Sequence, residues 1–428
     1  MRPKSAEAAR AASQNLVNGV PMQWMTDWSL PFTFFIKEAE NNFLNDIDGN
    51  TYVDFCLGDT GSMFGHSPEP VAKALEMQAR KGFTHMLPTV EATDVGALLS
   101  TMFGLPAWQL ALTATDANRF ALRLARAVTQ RRKILVFNGC YHGTVDETFV
   151  RLSNGQTAHR PGLLGQFQDL TADTVVIEFN DLDALEQALR QRDIACVIAE
   201  PVMTNCSMIL PDEGYHADLR RLTKNTGTLL LIDETHTISS GYGGYTRTHG
   251  LEPDIWVCGK AIAGGVPTAV WGMSDWIHRQ CHELLETKEA GHSGMGTTLA
   301  GNALSLAALR ANLTEVMTPE NFGKMEQGAA DLDDAFSRVI TKHRLPWHIA
   351  RVGARVEIIF SDRPLRNGTD AQMHHFTGLE RAVHLGLLNR GILIAPFHNM
   401  MLVSPHTTSS DVQCAAKAFA SVVSELAA

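Results

Sequence analysis

The sequence predicts an α/β fold, with a mostly parallel sheet covered by helices and a smaller α+β layer built from the two ends of the chain. Two observations carry this expectation. Through the middle of the chain, short β-branched runs alternate with stretches whose apolar residues recur at helical spacing, and strands that alternate with helices pair in parallel. Those runs are also continuously apolar, as strands covered on both faces require.

The elements follow in order. FLNDIDGNTYVDF, at 43–55, sets an Asp48-Gly49-Asn50 turn between two alternating runs and predicts a hairpin. ALTATDANRFALRLAR, beginning at Ala111, leads into an amphipathic helix over 118–129, with Thr115 or Asp116 as a candidate cap. Strands are expected at 133–137, 174–178, 195–199 and 228–232, and helices at 182–191 and 215–224. Beyond about residue 305 the pattern turns to long helical segments, followed by strands at 354–360 and 391–394. The reading divides the chain into an N-terminal segment 1–60 that joins a small domain, a large ligand-binding domain 61–305 and a C-terminal small domain 306–428.

Composition narrows the function. The 428 residues are 45% hydrophobic and 19% charged, the balance of a globular chain long enough for a large core. A net charge of −10 argues against nucleic acid or an anionic membrane surface as partner, since both select basic patches. A small-molecule partner is expected instead. Seven cysteines without CxxC or zinc-ligand spacing fit a reducing compartment and imply no metal site. With neither a secretory-type apolar core near the N-terminus nor a spanning-length apolar run, the expected location is cytoplasmic.

In parallel sheets ligands gather beyond the carboxyl ends of the strands, so residues just after the apolar runs carry the information. LLLIDETHT sets Asp233 and Glu234 after one run, and Lys260 follows the apolar run at 255–258 with no charged face around it. A carboxylate and an amine can thus meet at one sheet edge, either as a structural ion pair or as chemistry. NGCYHGTVDET puts Tyr141 and His142 after the strand at 133–137, where a ring can stack on a planar ligand or simply pack. Thr113 to Asp116 open a helix, where free N–H groups favour a phosphate.

Together these motifs resemble the class III aminotransferases, pyridoxal-phosphate enzymes of fold type I, and especially the branch containing glutamate semialdehyde aminomutase and amine transaminases. The resemblance runs from the Asp48-Gly49-Asn50 turn to Ser404-Pro405-His406-Thr407, and its most specific piece is EPDIWVCGKAIAGGVPTAV. It implies that Lys260 forms the Schiff base with pyridoxal 5′-phosphate and shuttles the substrate proton. Asp233 would pair with the ring nitrogen and keep it protonated. Tyr141 and Thr235 would face the ring, with His142 beside it; Glu200 and Asn205 would lie near its phenolic edge, and Ala114 and Thr115 would cradle the phosphate. Thr298 matches a threonine that reaches the phosphate from a neighbouring subunit, which implies a homodimer with shared sites.

Three departures from the family pattern stand out. Ala114 replaces a glycine in the phosphate loop, which narrows its backbone freedom, and Thr235 replaces a valine. In NGVPMQWMTDW the family's carboxylate-binding arginine is missing, and Met22, Gln23, Trp24 and Met25 are expected to line an apolar, adaptable substrate pocket or to pack at a dimer interface. The implied activity is transamination between an amine or amino-acid donor and a ketone or aldehyde acceptor, with apolar or bulky amines favoured. A 2,1-aminomutase is the alternative within the family. A silent cofactor-binding protein is the alternative outside it, opposed by the intact Lys260 and Asp233. A nucleotide-dependent dehydrogenase is set aside because no GxGxxG sits at an early strand-to-helix turn.

Overall fold

The computed structural model describes residues 2–426. The chain forms two compact units: Glu69–Pro319 with Leu365–Met373 make one, and the remaining described residues make the other.

The first unit is built on a seven-stranded sheet. Its spatial order is Ala107–Ala111, Ala269–Met273, Ile255–Cys258, Leu229–Asp233, Ile194–Ala199, Lys133–Phe137 and Thr174–Ile177. All neighbours from Ile255–Cys258 onward pair in parallel, whereas Ala269–Met273 runs antiparallel to both of its neighbours. The continuous apolar runs have the burial expected of them: every residue of Ile194–Ala199, Leu229–Asp233 and Ile255–Cys258 is buried. Trp256 anchors one face, its ring stacked on Phe103 at 4.5 Å between centroids. Helices Ala114–Thr129, Leu182–Leu189 and Tyr215–Thr226 connect strands as the alternating pattern predicts.

The start of helix Ala114–Thr129 differs from expectation. Thr113 is the cap, its hydroxyl accepting from the Asp116 N–H at 3.1 Å, so Thr115 and Asp116 lie inside the first turn. Thr113 has extended backbone while Ala114 already has helical geometry, which leaves the capping oxygen one residue earlier than local composition suggests.

The second unit has its own core. Helix Pro319–His343 and helix Ser409–Leu426 contribute Phe336 and Phe419, stacked at 4.5 Å, and strand Arg355–Ile359 contributes Val356 and Ile358. The predicted hairpin forms from Phe43–Asp46 and Thr51–Asp54. Asp46 ties its turn by accepting from the Asp48 and Asn50 amides at 3.0 and 2.8 Å, and Gly49 takes the left-handed φ of +93° that the turn needs. Ile392–Leu393 adds a short parallel strand to Thr51–Asp54.

Candidate active site

The order of the parallel strands decides what meets at their carboxyl ends. Ile255–Cys258, Leu229–Asp233, Ile194–Ala199 and Lys133–Phe137 are consecutive neighbours, so the residues that follow them share one edge. Asp233 pairs in register with Val257, and Lys260 begins the turn Lys260–Ala263 three residues further on. Asp233 and Lys260 therefore end adjacent parallel strands.

Asp233 is 4% exposed and carries a full set of donors. Its Oδ2 accepts from Asn118 Nδ2 at 2.8 Å and from His142 Nδ1 at 3.0 Å, and its Oδ1 accepts from the Thr235 amide and hydroxyl at 3.1 and 2.6 Å. Burial works against the charge, yet the donors from His142, Thr235 and Asn118 outweigh it and hold the carboxyl below its usual range. An ionised carboxylate only accepts, so Nδ1 of His142 is the donor. Burial favours neutral His142, but its neighbours Cys140 and Asp233 push it up to about 10. The arrangement keeps a negative charge fixed in a dry place, which suits the stabilisation of a cation.

Lys260 stands in a strained conformation, with φ of +45° in a region that residues bearing a Cβ avoid. Its turn is pinned from behind by the fully buried Asn312, whose Nδ2 donates to the carbonyls of Ala261 and Ile262 at 3.0 and 2.8 Å. The Nζ atom lies 2.6 Å from Nε2 of His236. Glu234, next to Asp233, has a different job: its buried carboxylate accepts from the Tyr245 amide at 2.8 Å and ties down the loop that follows.

Glu200 closes the next strand end. Its carboxylate accepts from the Tyr141 amide at 3.2 Å and from the Thr204 amide and hydroxyl at 3.0 and 2.8 Å, so it fixes the loops that carry Tyr141 and Asn205. At the helix start, Thr115 Oγ1 accepts from the Thr144 amide at 3.0 Å, which leaves its own proton for another acceptor. Ala114 has no positive φ, so the alanine sits in the first turn of the helix without strain.

These residues fit pyridoxal phosphate on three observations. The first turn of a 16-residue helix presents unpaired N–H groups beside the Thr115 hydroxyl, a site for a phosphate. Asn205 Nδ2 is buried without a hydrogen-bond partner, as a donor awaiting an acceptor would be. The loop around Gly143 leaves no spare volume: at φ +76° an added Cβ would come 2.1 Å from Thr115 Oγ1. Gly143→Ala is accordingly expected to displace Thr115 and weaken cofactor affinity by roughly tenfold or more, about 1.4 kcal/mol, measured by spectrophotometric titration of the cofactor-free protein.

The remaining candidates lie elsewhere. Thr298 is exposed on the irregular segment between helices Asp275–Thr287 and Ala303–Ala311. Met22, Gln23, Trp24 and Met25 belong to the other unit, where Gln23–Thr26 form a single 3-10 turn that follows Met22 and leaves Met22, Trp24 and Met25 45%, 43% and 38% exposed. Sequence reasoning missed Asn118, His236 and Asn312. Asn118 did leave a signal, being a polar residue within the apolar stripe of its helix. His236 left a weaker one, a titratable ring in the turn beyond a buried strand.

The family model described as Aminotransferase class-III matches residues 24–422. A glutamate-1-semialdehyde 2,1-aminomutase 2 from Bacillus cereus is 32% identical over 401 residues, covering 92% of this chain and 91% of that protein. A solved glutamate-1-semialdehyde-aminomutase from Pseudomonas aeruginosa shares 46% identity with a TM-score of 0.97, over 99% of this chain and 95% of the other, and a variant of it is solved in complex with PMP. An omega-transaminase from Sphaerobacter thermophilus is 25% identical with a TM-score of 0.89, over 99% and 98% of the two chains. With its sheet, its strand-end lysine and carboxylate, and these likenesses along nearly its whole length, the chain belongs to the class III aminotransferases.

Proposed function

We propose that this enzyme carries an amino group from an amine or amino-acid donor to a ketone or aldehyde acceptor in two half-reactions, using pyridoxal 5′-phosphate. The observation that carries the reading is the placement of Lys260 and the buried, donor-loaded Asp233 at the ends of adjacent parallel strands. When bound, the cofactor supplies an aldehyde that takes up the amino group and a ring that accepts electrons. Lys260 Nζ would bind the aldehyde carbon and, once released, move the proton at the reacting carbon. Asp233 would hold a proton on the ring nitrogen, and Asn118, His142 and Thr235 keep its carboxylate oriented for that task. Tyr141 and Thr235 would flank the ring. Thr115, the amide of Ala114 and the Asn205 amide group would bind the phosphate and the phenolic edge, while Glu200 positions the last of these through Thr204.

The exposure of Thr298 supports a shared site, in which Thr298 of a second copy completes the phosphate cradle of a homodimer. No described helix is long and apolar enough to cross a membrane, and the cysteine pattern supports a cytoplasmic location. A visible-absorbance titration with a panel of amines and amino acids tests the reading: productive donors abolish the cofactor's visible band, and a protein whose band no donor changes is not an aminotransferase.

The aminomutase activity named for two similar proteins is the second reading. Against it stands the absence of any arginine between Arg10 and Arg80, where a substrate's distal carboxylate would need one. If 22–25 line the pocket, Trp24→Ala should re-rank bulky amines and Gln23→Arg should favour carboxylate-bearing donors by about tenfold in kcat/KM. Equal changes for a bulky amine and its matched amino acid would assign the segment to packing. Efficient conversion of glutamate semialdehyde by the parent enzyme would establish the aminomutase instead.

A further inference from the structure

The contact between Lys260 and His236 has no part in the reaction described so far. His236 is 8% exposed, sits in the turn between Asp233 and the short helix Thr237–Ser240, and brings Nε2 to 2.6 Å from Lys260 Nζ. That separation is a hydrogen bond, and two nitrogens at this distance hold one proton between them. An ammonium donates and does not accept, so a protonated Lys260 requires the lone pair of a neutral imidazole. A neutral Lys260 accepts equally well from an imidazolium. Either arrangement is satisfied by the same geometry, and conversion between them moves one proton by less than an ångström with little movement of heavy atoms.

Lys260 must change protonation state to work. As an ammonium it has no lone pair for an aldehyde carbon or for a substrate proton, and a hydrogen-bonded base at 2.6 Å is the nearest group able to take up the excess proton. We infer that His236 is the proton-relay partner of Lys260, an inference that rests on the assignment of Lys260 as the reacting amine. In the relay an N–H bond of the Lys260 ammonium breaks, its electron pair stays on Nζ, and the proton bonds to Nε2 of His236. The positive charge passes from lysine to imidazole, and the total charge is unchanged. With its lone pair freed, Nζ would bond to the aldehyde carbon of bound cofactor, whose oxygen would leave as water with one hydrogen from Nζ and one from the His236 imidazolium. The titratable groups next to this pair in the chain or on the neighbouring strand are Asp233, which accepts from Asn118, His142 and Thr235, Glu234, which accepts from Tyr245, and the Cys258 thiol, which burial keeps protonated.

The relay can be measured before any turnover, in the rate at which cofactor-free protein gains its visible band on mixing with pyridoxal phosphate. His236→Gln keeps an acceptor of similar reach that does not take up a proton, and His236→Ala opens a cavity. Both are expected to slow band formation on the order of 10²-fold, with unaltered thermal stability in the glutamine variant. Added imidazole should restore the rate of His236→Ala in proportion to its concentration, whereas pyrazole, of the same size but far less basic, should not. Equal rescue by both azoles would reduce His236 to a space-filling role and overturn the relay, as would a wild-type rate in His236→Gln. Borohydride fixation and peptide mapping of the wild type separate the two layers. A tag on another lysine refutes the assignment of Lys260, while a tag on Lys260 with unaffected His236 variants refutes the relay alone.

Discussion

Lys260→Ala is expected to abolish turnover, by on the order of 10³-fold or more, because the residue is asked to be both the nucleophile and the proton carrier. No other lysine of its unit occupies a comparable place. Lys133 starts its strand and pairs with Asp193 at 2.8 Å, so it lies at the amino end of the sheet, away from the edge that carries Asp233. The variant should still bind pyridoxal phosphate through the phosphate and ring contacts, but gel filtration should strip it and borohydride should no longer fix it to the protein. The fold should persist, since Asn312 holds the turn through the backbone carbonyls of Ala261 and Ile262 and not through the lysine side chain. Retention of more than a few per cent of wild-type activity would show that another group does this work.

Asp233→Asn carries the second-largest effect. A neutral amide does not keep a ring nitrogen protonated, so kcat should fall by roughly 10²- to 10³-fold, with a smaller change in KM. Stability should change too. The asparagine must direct either its NH2 or its oxygen at the two donors on Oδ2, Asn118 Nδ2 and His142 Nδ1, and the misfit leaves a buried donor unsatisfied at about 1–3 kcal/mol. The sign of the pH dependence follows from the lowered folded-state pKa of Asp233. Its ionised form stabilises the protein at neutral pH, and that contribution is lost as pH falls through the folded-state value. The variant should therefore lose stability at neutral pH while converging on the parent in acid, as measured by thermal unfolding across pH. Near-normal kcat in a folded Asp233→Asn protein would remove the carboxylate from the mechanism.

The two residues on which these predictions rest were legible for different reasons. Asp233 ends a continuous apolar run, and a carboxylate at that place is exposed to the chemistry of a strand end. Lys260 was legible as an anomaly, a lysine amid buried residues, and its role came from the resemblance of its neighbourhood to a known family. The segment 22–25 was legible only as an arginine missing from the family pattern, which leaves the favoured donor to the titrations above.

Continuous β-branched runs, helical periodicity and an Asp-Gly-Asn turn were sufficient in the sequence alone to specify an α/β chain with a buried parallel sheet and a terminal hairpin, because these patterns arise from local burial and backbone preference. The partners of the reactive groups were decided only by tertiary structure. Asn118 meets Asp233 across 115 residues, and Asn312 meets the Lys260 turn across about 50, because the order of strands in the sheet is not their order in the chain. The 2.6 Å contact between Lys260 and His236 has the same origin, since the two residues follow adjacent strands. These contacts depend on where a strand ends relative to its spatial neighbour, a long-range distance that local periodicity does not encode.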